Sequence, residues 1–137
     1  MYKSTKILLF LSFLALLLIL ICFPICFDNN DDQIMFMMSA GVLSNMPTAE
    51  IIHINFSIGY LIKSLFELFP SFNWYTLTLE LIQIFALLGI FYVFINNNRN
   101  SIYYKIAIVF FLFCGFSVLC VVKIQFTVVS LTCAIGA

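Results

Sequence analysis

Apolar positions in this chain gather into long runs separated by short polar clusters, with little alternation between them. Ile7 to Phe27 is apolar except at Ser12 and Pro24. Crossing a bilayer core takes about 20 residues at about 1.5 Å each, so a first span is expected over 7–27. A signal peptide has a shorter apolar core, of about 7–15 residues, and ends in small residues at its cleavage site. Here Cys26-Phe27-Asp28 follows instead, and the run is read as a retained span.

The next segments are mixed. Residues 31–43 are too short to cross; their acidic start and apolar face fit a helix lying on the membrane surface. Gly41 and Ser44-Asn45-Met46-Pro47-Thr48 break it, and Thr48 opens a second helix over 51–69. On that helix His53, Ser57, Tyr60, Ser64 and Glu67 make one polar stripe, and Lys63 stands one turn before Glu67. The segment is long enough to span, yet the stripe favours the surface. Phe69 to Tyr75 reads as a turn, with Trp74 and Tyr75 suited to a membrane boundary. Further spans are expected over 76–95 and 102–122, joined by Asn96-Asn97-Asn98-Arg99-Asn100. Residues 124–137 read as the start of another, incomplete helix, so the chain looks like the N-terminal part of a longer membrane protein. The fold class is all-α, with three to four transmembrane helices and two juxtamembrane helices in the first external loop.

Composition agrees. The chain is 64% hydrophobic and 9% charged, against roughly a quarter charged in soluble domains. Its net charge of zero gives nucleic acid no basic surface. The five cysteines lie in apolar runs without a CxxC pair, which suits small hydrophobes better than disulfides or zinc. With Lys3 and Lys6 held inside, the N-terminus is cytoplasmic and the Asp28–Asp32 loop is external to the plasma membrane. A surface position for 51–69 then brings Arg99 and Lys105 back to the cytoplasm.

The candidate chemistry is acidic. Asp28, Asp31 and Asp32 fall within five positions directly after the first span. Such a cluster is either a solvated cap that keeps this end outside or the working end of a site. Glu80 lies inside a span, where ionisable groups are disproportionately functional. Gln83 shares its helix face, as does Thr76. Lys123 falls near the outer face, able to meet a phosphate or to snorkel as a boundary residue. The single His53 is more simply a polar-face residue than a ligand.

Asp31-Asp32-Gln33-Ile34-Met35 after a first span, Pro47, Ile54-Asn55-Phe56 with Gly59, Phe69-Pro70-Ser71-Phe72-Asn73-Trp74-Tyr75 and Ile124-Gln125-Phe126-Thr127 together resemble the C-type glycosyltransferases and bacterial multi-span proteins of that kind. Those enzymes use sugars carried on polyprenyl phosphate and place an acidic pair in the first external loop. The second acid is Asp here, where Glu is commoner. The resemblance implies Asp31 as the base, Asp32 as its orienting partner or as ligand to a divalent metal, and Asp28 as a weaker third acid. Glu80, Lys123 and His53 are its candidate substrate-binding residues. Two other functions fit the same pattern: a non-enzymatic membrane subunit, immunity or assembly factor with a membrane-protein partner, or a transporter fragment whose path Glu80, Gln83 and Lys123 would line.

Overall fold

A computed structural model describes residues 2–22, 26–27, 30–97 and 102–136. It is all-helical, with six helices and two-residue extended segments at Cys26–Phe27 and Lys123–Ile124. The helices are α1 (Tyr2–Cys22), α2 (Asn30–Ser39), α3 (Phe56–Leu68), α4 (Trp74–Asn97), α5 (Ile102–Val122) and α6 (Phe126–Gly136). They divide into two compact units, residues 1–26 with 80–137, and residues 27–79.

In the first unit the core is a stack of single helix faces. Leu16 and Ile19 of α1, Ile84, Leu87, Phe91 and Ile95 of α4, and Val109 and Val121 of α5 are buried together. The three-and-four spacing on α4 is that of one helical face. Opposite faces are just as apolar: Phe10, Leu18, Phe85, Phe110, Phe111 and Leu119 are all exposed. Trp74–Asn96 and Ile102–Val122 are long and apolar enough to cross a membrane; Lys6–Cys22 and Phe126–Gly136 are shorter apolar helices. Only 22% of the second long helix is buried within the protein. Its remaining surface is the contiguous apolar kind that water disfavours.

Helices α4 and α6 approach closely. A Cβ built on Gly136 would stand 2.6 Å from the Ala86 carbonyl oxygen, so only a bare backbone fits there. Within α5, Phe113–Ser117 forms a π-helical turn, and the Ser117 hydroxyl donates to the Leu112 carbonyl at 3.2 Å. Nothing in the hydrophobic pattern marks that extra residue.

The second unit departs from the expected boundaries. Helix α2 ends at Ser39 rather than 43. Gly41, at φ +78°, turns the chain while Val42 N–H donates to Met37 O and Gly41 N–H to Met38 O, a Schellman-type stop. Helix α3 begins at Phe56, not 51, because Asn55 is the better cap: its Oδ1 accepts from Ser57 N–H at 2.9 Å. Thr48 makes only a local turn, accepting from Glu50 N–H at 3.1 Å. The Asn55-Phe56-Ser57 triplet is thus a helix cap. His53 sits in the preceding turn at φ +65°, so it does not belong to the α3 stripe. With 13 residues α3 falls short of the length needed to cross. Lys63 and Glu67 do pair, at 3.7 Å.

Helix α4 starts two residues earlier than expected, capped by Asn73 Oδ1, which accepts from Thr76 N–H at 3.1 Å. The Trp74 indole donates to Phe69 O at 2.9 Å and packs on Phe72 at 4.6 Å, closing the turn between α3 and α4. Rings carry the core of this unit: Phe27 lies 6.1 Å from both Phe36 and Tyr75, and Phe36 lies 6.3 Å from Phe66. These separations are within the range of favourable aromatic pairing.

Candidate functional site

Consecutive residues on a helix project about 100° apart, so Asp31 and Asp32 cannot face the same way. Asp32 turns inward. It is 2% exposed, and the Tyr75 hydroxyl donates to its Oδ1 at 3.3 Å. Met35, one turn further along α2, is buried on the same side. Asp31 faces outward and lines a half-open pocket of about 220 Å³ with Ile34, Met35, Ile52 and His53.

The pocket has a simple construction. Helix α2 supplies one wall through Asp31, Ile34 and Met35, spaced as a single face. The turn before α3 supplies the other, and the left-handed backbone at His53 fixes that residue there beside Ile52. A carboxylate and an imidazole therefore share a cavity whose other walls are apolar. Such a pair can accept and pass on a proton from a hydroxyl held between them.

The acidic pair expected to act together is thus divided: Asp31 lines the pocket and Asp32 is a buried anchor. Asp28 lies outside the described residues. Glu80 and Lys123 fall in the other unit, Lys123 exposed and Glu80 fully buried. Neither carboxylate oxygen of Glu80 has a protein hydrogen-bond partner. Gln83 is also buried, with its Oε1 accepting from the Thr132 hydroxyl at 2.7 Å. Two contributors had no sequence signal: Tyr75, which read as a boundary aromatic, and Thr132, which lay in an apolar run.

A divalent metal at Asp32 finds no ligand set. Among the described residues no three His, Cys, Asp or Glu side chains come together to hold an ion. Asp32 is committed to Tyr75 instead, so no chemical step is assigned to a metal. Charge in the second unit is lopsided: residues 27–79 carry five acids and one lysine, Lys63, which is paired with Glu67. All five cysteines are free thiols.

No protein-family model, curated protein or solved structure matches this chain.

Proposed function

We propose that this chain is an integral membrane protein of the plasma membrane that works as a glycosyltransferase on a polyprenyl-phosphate-linked sugar. Helices α4 and α5 are its long spans, α1 a third, and α6 a shorter apolar helix packed on α4. The N-terminus is cytoplasmic and residues 27–79 lie outside, an orientation that leaves Lys3, Lys6, Arg99 and Lys105 on the inner side. Asp31 is the base. It takes the proton of an acceptor hydroxyl as that oxygen attacks the sugar carbon, and the lipid phosphate leaves with the bonding electrons.

The observation that carries this reading is the exposed Asp31 facing a pocket shared with His53, on a helix pinned by its buried neighbour Asp32. The apolar walls of Ile34, Met35 and Ile52 suit a substrate delivered on a lipid. The test is transfer of labelled sugar from a polyprenyl phosphate by membranes carrying the full chain. Asp31→Asn should abolish transfer and leave expression and folding intact. Transfer that survives this substitution overturns the role given to Asp31.

A second reading rests on charge. A leaving phosphate needs positive charge nearby, yet the sole lysine of residues 27–79 is tied to Glu67. The exposed, negatively charged side chains of Asp31 and Glu50, with no free lysine in the same segment, suit a non-enzymatic subunit that docks a basic membrane-protein partner. No transfer by the unsubstituted chain, together with salt-sensitive capture of such a partner, would favour it.

A further inference from the structure

The first unit buries a second group of polar atoms, apart from the Asp31 pocket. Glu80 and Gln83 are both 0% exposed and stand three residues apart on α4, hence on one face of the helix. Both oxygens of Glu80 and the amide nitrogen of Gln83 lack a protein partner. Thr132 of α6 explains how the amide is arranged. Its hydroxyl oxygen lies 2.7 Å from Gln83 Oε1, 2.9 Å from Val129 O and 3.0 Å from Val128 O. One hydroxyl proton cannot serve three acceptors.

In a helix that proton usually goes to a carbonyl one turn back, and the Gln83 amide must then donate to Thr132. The two ends of an amide have the same shape, so it turns over without disturbing the packing. The turned amide satisfies Thr132 and leaves the Gln83 oxygen unpartnered on the helix face it shares with Glu80. The helix face then presents three acceptors, two from Glu80 and one from Gln83, with the buried, unpartnered Thr76 hydroxyl one turn before Glu80 as a neutral donor.

An anion in an apolar interior is held only with a positive charge beside it or a proton on it. Among the described residues no such charge stands at Glu80. Helix α6 brings no charged residue and one thiol, Cys133. Lys6 of α1, Lys105 of α5 and Lys123 are the described cations of this unit, and none is ion-paired with Glu80. We propose that Glu80 and Gln83 form an exchangeable site for one small monovalent cation, a proton or a sodium ion. A proton forms an O–H bond on one Glu80 oxygen, with Gln83 accepting from it; a sodium ion takes oxygens from both residues.

The full chain in liposomes can be treated with dicyclohexylcarbodiimide, which adds to protonated carboxyls in apolar surroundings, and the Glu80 peptide followed by mass. Between about pH 5 and about pH 9 labelling should fall about tenfold per pH unit above its midpoint, as the protonated fraction does. A loss that depends on pH alone identifies the proton. A several-fold loss on adding sodium chloride, but not choline chloride, at fixed pH identifies sodium. Gln83→Leu, which keeps Glu80 in place, should move the midpoint or remove the sodium effect. Labelling that stays flat across pH and both salts, or that never reaches Glu80, overturns the proposal. Because the readout is carboxyl reactivity, its failure is independent of whether Asp31 supports sugar transfer.

Discussion

The hydroxyl of Tyr75 donates to Asp32 across 43 positions of sequence, tying the first turn of α2 to the first turn of α4. A buried carboxylate needs such donors, since an unmet one costs more than the bond itself yields. Tyr75→Phe removes only the donor and keeps the ring against Phe27. It should cost about 1–3 kcal/mol, read by denaturant unfolding in detergent. Asp31→Asn, on the exposed side, should stay within about 0.5 kcal/mol. Equal losses from the two substitutions would remove the distinction between anchor and site residue.

His53 invites a split between stability and function. Its φ of +65° is a conformation that glycine adopts freely and other residues at a cost. His53→Gly relieves about 1 kcal/mol of strain, which offsets the packing that disappears with the ring. The protein should therefore stay folded while transfer falls at least several-fold. Unchanged transfer would leave His53 a turn residue only.

How much of this could be read in the sequence depends on the range of the interaction. The two long apolar helices were legible because each follows from a local run, and α4 and α5 begin within two residues of the expected positions. The run expected over 7–27 gives instead the shorter apolar helix Lys6–Cys22. Helix ends were less legible because caps compete. Thr48 and Asn55 both offer an accepting side chain, and only the folded chain shows that Asn55 starts α3. The site was half legible. Adjacent aspartates read as a pair, but the 100° step of a helix separates them, and the partner of the buried one lies far along the chain. The Gln83–Thr132 bond, 49 positions apart, had no local trace.

The same competition ranks two surface features of α3. Asn55→Ala leaves the Ser57 N–H without its acceptor and should cost about 1 kcal/mol, with helix loss read by circular dichroism. Lys63→Ala breaks a solvent-screened pair at 3.7 Å and should cost less than about 0.5 kcal/mol. A larger effect at Lys63 than at Asn55 would contradict the assignment of Asn55 as the cap.

Two glycines in helices should respond to alanine with opposite signs. In an open helix Gly→Ala stabilises by up to about 1 kcal/mol, because glycine loses more backbone freedom on folding. Around Gly115 there is nothing within 4 Å of the added methyl, so Gly115→Ala should be neutral or stabilising. Gly59 is buried where α3 passes the Ala49 carbonyl, and a Cβ there would collide with that oxygen. The obstacle is backbone, which cannot swing aside as a side-chain tip can. Relief requires moving α3 away from Ala49, with a cost of about 1–3 kcal/mol, as for other overpacked sites. The close approach is therefore what makes glycine necessary at 59, while the π-helical turn tolerates a methyl at 115. Denaturant midpoints of the two variants in one detergent would decide the matter, and a shift of the same sign in both would refute the close packing of α3 on Ala49.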